Sequence, residues 1–342
     1  MSVGESRGSH GAMSGDLLKE VSGSLAAAPV RRDAPMPWVR LLLHPAHSLP
    51  AAAAPVLVGV ALAIHDGVFS PLPATLGLLA SWLIHVGGLF WENYWLLTRH
   101  AGLREHPELA AAVENGSLSL AALRRVTLVW FALGVLSGSY LVTCAGMAAP
   151  VLGLIGIIAS AGYCSGRYSL TRLGIADPVF FIMFGVVAVA GTYYTQAASH
   201  DVHAGNWGFV AAALPLKALV IGLPLGAIIT GVMLADDLSD IEVDLAKGWR
   251  TSAVRWGVPG TRLEYTGLMV MAYGLPFWFW RGLRFEAWIL LPLLSLPLAI
   301  WAVKKMWTIE PAKVEPLSPR TAAIGFLYAG LLSAGLLLSH SG

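Results

Sequence analysis

From about residue 47 onward the chain alternates long apolar stretches with short polar ones. The apolar runs fall at 47–65, 71–97, 125–145, 148–165, 178–197, 208–235, 264–280, 285–303 and 321–339. Each approaches the roughly 20 residues that a helix needs to cross the hydrocarbon core of a bilayer. Inside that core every backbone amide must find an internal partner, and runs of this length supply one as helices. The pattern therefore predicts an all-α integral membrane bundle of about nine transmembrane helices. Pro55, Pro215, Pro224, Pro292 and Pro297 fall within these runs and are expected to kink them. Residues 1–36 are polar, mixing Gly, Ser, Arg and Asp, with no apolar stretch followed by a cleavage site. Residues 1–40 are expected to be a disordered cytoplasmic tail, and 41–342 the membrane domain.

Composition agrees. Of 342 residues, 56% are hydrophobic and 12% charged, with a mean hydropathy of +0.67. That charged share is about half the soluble average. A net charge of +2 gives no footprint for a nucleic-acid partner. Cys144 and Cys164 both lie in apolar stretches and read as small buried thiols. Of the 22 Lys and Arg residues, all but Lys217, Arg281 and Arg284 fall on one side of the predicted spans. That asymmetry predicts a cytoplasmic N-terminus and an outer C-terminus, in the inner or plasma membrane of the cell.

Candidate chemistry concentrates on the basic side. Asp236, Asp237, Asp240, Glu242 and Asp244 follow the sixth apolar run, and Lys247, Arg250 and Arg255 come directly after. Asp236, Asp240 and Asp244 are spaced i, i+4, i+8, which would set three carboxylates on one helical face, where they repel. Oxygen-only ligands of this kind suit Mg²⁺, which shares its shell with water and substrate phosphates; the bases would take the remaining phosphate oxygens. The plainer alternative is a solvated acidic loop beside a basic one. Glu92 and Asn93 end the second apolar run, and His85 lies on roughly the same face as Glu92. For these three, a packed or interfacial role stands beside a role in the substrate cavity.

Asp236 to Arg255 resembles the second aspartate-rich motif of the UbiA superfamily of intramembrane prenyltransferases, whose pattern runs roughly NNxRDxxxDxxxGKRTxAVR. The nearest likeness is to the 1,4-dihydroxy-2-naphthoate prenyltransferase branch. Tyr163 to Gln196, with Arg172-Leu-Gly174 and Gly191-Thr192-Tyr193-Tyr194-Thr-Gln196, is similar to that branch's fourth and fifth helices. The resemblance covers about residues 45–340. It implies a helical bundle around a lateral cavity, with diphosphate and Mg²⁺ at the cytoplasmic mouth. Carried over by position, Asp240 and Asp244 would be metal ligands, with Asp236 and Asp237 standing where the branch has two asparagines. Arg250, with Lys247 and Arg172 near, would bind diphosphate. Tyr163, Tyr193 and Tyr194 would line the cavity and stabilise an allylic cation. The sequence departs from the pattern at Trp249, which replaces a lysine, and in span two. There the family's NDxxDxxxD is represented only by Glu92-Asn93-Tyr94-Trp95-Leu96, without an aspartate.

Three functions follow as expectations. The first is an Mg²⁺-dependent prenyltransferase that ionises an allylic isoprenyl diphosphate and passes the prenyl group to an aromatic or lipid acceptor. The second is a UbiA-type terpene cyclase, in which the cation is quenched within its own chain; Asp236-Asp237-Leu-Ser-Asp240 also spells DDxxD. The third is a non-catalytic isoprenoid-binding homologue.

Overall fold

The computed structural model describes residues 49–98, 107–146, 148–203, 214–314 and 316–339. The expected 1–40 tail lies outside the described residues.

Helix forms in each of the nine predicted segments among the described residues, numbered here as spans one to nine. Spans one to four are Leu49–His65, Pro71–Thr98, Leu120–Ala145 and Ala148–Gly162. Span five begins as Ala176–Ile182 and passes through a π turn at Met183–Val187 into Ala188–His203. Span six is Leu216–Val220 followed by Leu223–Ser239, and span seven, Ser252–Gly282, is two helical stretches joined across a kink at Gly257 (φ 65°). Span eight opens as a 3₁₀ helix, Ala287–Ser295, and continues as Leu296–Thr308; span nine is Leu317–Leu338. Six of these helices are long and apolar enough to cross a membrane on that criterion alone. Spans one and four are shorter, and span seven starts in polar sequence at Ser252 and carries Arg255, Arg262 and Glu264. The chain is a multi-pass membrane protein.

The prolines punctuate these helices more often than they kink them. Pro215 precedes the first helix of span six, and Pro224 and Pro297 sit in first turns. There the missing N–H removes no helical hydrogen bond. Pro55 lies inside span one, and Pro292 inside the 3₁₀ opening of span eight.

Span six is the axis of the main core. Its Leu225, Ile228, Leu234 and Leu238 are fully buried among residues of spans one, five, seven, eight and nine. Glycines bring spans five and six into backbone contact: a Cβ on Gly226 would lie 2.8 Å from Gly185 Cα. In membranes, where hydrophobicity alone does not hold helices together, such close approach supplies the packing. Spans two, three and four form a second group with smaller apolar clusters of their own. Spans three and four expose Leu128, Val129, Leu136, Leu154 and Ile158, an apolar surface suited to lipid.

The end of the bundle away from the aspartate run is clamped. Lys217, at the start of span six, is 2.5 Å from Asp66 Oδ1, and Tyr193 donates its hydroxyl to Asp66 Oδ2 at 2.8 Å. His65 Nε2 stands 3.9 Å from the same carboxylate. Its Nδ1 lies 3.2 Å and 3.1 Å from the carbonyl oxygens of Leu336 and Ser339 at the end of span nine. Lys217, expected within a span, is thus matched by a counter-charge at its edge.

Candidate active site at the end of span six

Span six stops at Ser239 because Asp240 leaves helical geometry (φ −106°, ψ 15°), and a second short helix, Ile241–Lys247, follows. The sequence reading placed Asp236, Asp240 and Asp244 on one continuous helical face; the structure breaks that face at Asp240. Crowded like charges along one face are the physical reason. Asp236 instead turns to span nine and accepts a hydrogen bond from Ser318 at 2.9 Å. Gly248, at φ 71°, closes the short helix in the left-handed conformation that glycine adopts without strain. The chain then doubles back: Arg250 N–H donates to the Thr171 carbonyl at 2.8 Å, tying this loop to the one before span five.

Asp237 and Asp244 point inward. Asp244 is buried, accepts from Thr251 Oγ1 at 3.2 Å and lies 3.5 Å from Lys247 Nζ. Lys247 in turn sits over the ring of Trp249, 4.0 Å from its centroid. Trp249, which stands where the resemblance expects a lysine, is buried edge-on to Tyr163 at 6.0 Å. It therefore acts as an apolar floor under the cation. Asp237 is also buried, and its Oδ2 accepts no hydrogen bond from the protein. The carboxylates of Asp177, Asp244, Asp236 and Asp240 all lie close enough to repel its charge.

Tyr163 joins the two halves of the site. It follows span four, and Glu92, Asp237 and Asp244 all lie within electrostatic reach of its hydroxyl. Glu92 of span two thus lies at the same end of the bundle as Asp237 and Asp244. Asn93 does not join them. It is buried, gives its amide N–H to the Leu89 carbonyl at 2.9 Å, and lies on the helix face of Phe90 and Leu97, which packs against Leu118 and Leu123. Arg172 reaches the site from the loop before span five and donates to the Lys247 carbonyl at 2.8 Å. The Arg250 side chain is exposed at the same mouth.

A separate cavity of about 590 Å³ lies between spans one to five; none of the acids or bases above lines it, and Phe180 is its nearest link to Tyr163. It is lined mainly by small and aliphatic residues, with His85, Ser81 and Thr192 among the polar ones. Phe180 lines it and packs against Tyr163, with ring centroids 5.3 Å apart. Tyr193 and Tyr194, expected on the cavity wall, are placed elsewhere. Tyr193 belongs to the Asp66 clamp, and Tyr194 donates to the Ala145 carbonyl at 3.0 Å, at the far end of span three. Asp177, sixteen residues earlier in the same span, is about 24 Å away along a helix.

Three polar residues near the site escaped the sequence reading. Ser252 Oγ lies 2.7 Å from Asp177 Oδ2 and 2.6 Å from Glu264 Oε2, linking the starts of spans five and seven. The available signal was an acid inside an apolar run with no base beside it.

Among the described residues, no three His, Cys, Asp or Glu side chains already converge as a ready metal cage. An all-oxygen donor set with a buried carboxylate oxygen that lacks a donor nevertheless fits Mg²⁺. That ion retains waters and fills its shell from substrate phosphates as well as from one or two carboxylates.

These features define an integral membrane enzyme site: buried carboxylates with bases beside them at one end of a helical bundle that also holds an apolar cavity. Residues 52–318 match the model of the UbiA prenyltransferase family. The chain belongs to that family and is an intramembrane prenyltransferase of the UbiA type. It is 31% identical over 264 residues to the 1,4-dihydroxy-2-naphthoate octaprenyltransferase of Mycobacterium tuberculosis, covering 75% of this chain and 81% of that one. Among solved structures, it resembles the apo structure of a UbiA homolog from Aeropyrum pernix K1. There the TM-score is 0.62 and the identity 17%, covering 86% of this chain and 97% of that one. It also resembles a UbiA homolog from Archaeoglobus fulgidus bound to DMAPP and Mg²⁺. That match has a TM-score of 0.52 and 15% identity, covering 86% of this chain and 98% of the other. The two structures support the fold.

Proposed function

We propose that this enzyme transfers the prenyl group of an allylic isoprenyl diphosphate to an aromatic acceptor of the dihydroxynaphthoate kind, with Mg²⁺, at the cytoplasmic face of the membrane. The observation that carries the reading is the buried Asp237 carboxylate, one oxygen of which receives no donor, in the same acidic run as the buried Asp244, itself 3.5 Å from Lys247. The naphthoate prenyltransferase named above supports the acceptor class, and the relative that holds DMAPP and Mg²⁺ supports the diphosphate and the metal. The near one-sided distribution of Lys and Arg supports a cytoplasmic N-terminus and an outer C-terminus.

Asp236, Asp237, Asp240 and Asp244 are the residues to hold Mg²⁺, directly or through water. When bound, Mg²⁺ neutralises charge developing on the diphosphate leaving group. Lys247, Arg250 and Arg172 take diphosphate oxygens, and Trp249 holds Lys247 in place for that task. The C–O bond breaks and its electron pair leaves with the diphosphate. Tyr163, with Phe180 behind it, offers aromatic faces to the allylic cation. The apolar wall from Ser81 and His85 down to Thr192 receives the isoprenoid chain and keeps water from the cation. A ring carbon of the acceptor supplies the electron pair of the new C–C bond, and loss of a proton from that carbon restores aromaticity. Glu92 orients the acceptor or the diphosphate from span two.

The test is to incubate purified full-length protein with allylic diphosphates of increasing length and Mg²⁺, with and without dihydroxynaphthoate, and to identify products by mass spectrometry. A prenylated naphthalene formed only with acceptor and Mg²⁺ is the expected result. A cyclic terpene formed without acceptor would replace the transferase reading with the cyclase.

A further inference from the structure

Asp177 opens span five and is 7% exposed. Its Oδ2 lies 2.7 Å from Ser252 Oγ, whose single proton serves either this oxygen or Glu264 Oε2, while its buried Oδ1 has no hydrogen-bond partner in the protein. The nearby cation, Arg255, lies within electrostatic reach of Asp177 but donates its hydrogen bond to the Gly174 carbonyl at 2.5 Å. Asp237, on the neighbouring span, is 6% exposed and has the same defect at Oδ2. Spans five and six run antiparallel and touch where Gly185 meets Gly226. Counting from that contact toward the cytoplasmic mouth, Asp177 lies about 12 Å along its helix and Asp237 about 17 Å along its own. Both carboxylates therefore occupy the same end of the bundle, and of the acids around Asp237, Asp177 acts on it most strongly.

Two buried carboxylate oxygens on adjacent helices, each without a donor, cannot both carry charge at acceptable cost unless a cation serves them together. We infer that Asp177 is a further carboxylate of the Mg²⁺–diphosphate site, supplied by span five where span two lacks the family's aspartates. This rests on the metal reading proposed above. Ser252 is then a positioning residue: by holding Oδ2 it leaves Oδ1 for the site. Glu264 binds the same hydroxyl from span seven and belongs to the support of the site, outside the metal shell.

The experiment titrates Mn²⁺ into full-length protein in detergent with inorganic diphosphate present, following loss of the free-ion EPR signal. Wild type is compared with Asp177→Asn, Asp237→Asn, Ser252→Ala and Glu264→Gln, each first checked for a monodisperse, helical state. Asp177→Asn and Asp237→Asn are each expected to weaken Mn²⁺ by clearly more than the roughly tenfold that loss of a supporting contact costs, with Ser252→Ala and Glu264→Gln losing about that or less. Wild-type affinity in Asp177→Asn beside a weakened Asp237→Asn would remove Asp177 from the site and leave the metal reading standing. Equal losses in Asp177→Asn, Ser252→Ala and Glu264→Gln would reduce Asp177 to a structural contact and so overturn the inference. Unchanged affinity in both aspartate variants would overturn the metal reading and the inference together.

Discussion

Two buried acidic groups sit at opposite ends of this bundle and are treated differently by the fold. Asp66, at the end away from the aspartate run, is met on both oxygens by Lys217 and Tyr193, with His65 beside it. Asp237 and Asp177, at the aspartate-rich end, each keep one buried oxygen that receives no donor, amid several further carboxylates. A carboxylate in a membrane protein is expensive. Where the protein supplies the countercharge itself, the group ties helices together. Where it leaves an oxygen without a donor, the proposed function gives the group a cation that arrives from outside. The difference separates a clamp from a site more sharply than burial does, since all three aspartates are largely hidden from solvent.

The comparison can be broken by exchanging the consequences. Asp237→Asn is expected to cost the most in activity, about a hundred- to a thousandfold in kcat, as for loss of a group that stabilises transition-state charge. Removing a repelled charge leaves its Tm unchanged or higher. Asp66→Asn should do the reverse: stability falls by about 2 kcal/mol as Lys217 loses its partner, seen as a lower Tm, while turnover of the folded fraction is retained. Magnesium with diphosphate should stabilise wild type by about 2.7 kcal/mol at a hundred times its Kd. A thermal-shift series should show that gain disappearing in Asp237→Asn and persisting in Asp66→Asn. Glu92→Gln is expected to lower turnover by about ten- to a hundredfold; wild-type turnover would remove span two from the site. The smallest effect belongs to Tyr194→Phe, about 1 kcal/mol of stability with no change in product, since its hydroxyl serves only the Ala145 carbonyl.

Much of this architecture was legible from the alternation of apolar and polar stretches, because in a bilayer length and hydropathy nearly dictate helix. The acidic run after span six was equally visible, since so many charges in so apolar a chain stand out. What the linear pattern did not carry was direction. Asp236 and Asp244 share a helical register on paper, yet the break at Asp240 sends one toward Ser318 and the other toward Thr251. Glu92 and Asn93 are adjacent, and adjacency on a helix turns two side chains to different faces, so only Glu92 meets Tyr163. Tyr193 and Tyr194 lie at the depth of the cavity-lining Thr192 and Thr195 but turn away from the cavity, to Asp66 and to the Ala145 carbonyl. Asp177, Ser252 and Glu264 come from two spans far apart in sequence, and only the packing of those spans makes them neighbours.

The most direct measurement compares prenyl transfer to dihydroxynaphthoate by wild type, Asp237→Asn and Asp66→Asn, each with Mg²⁺ and with EDTA, at a temperature where all three remain folded. The account predicts product from wild type and Asp66→Asn in Mg²⁺ alone, and almost none from Asp237→Asn under either condition. Undiminished product from Asp237→Asn, or equal product in EDTA, would contradict it.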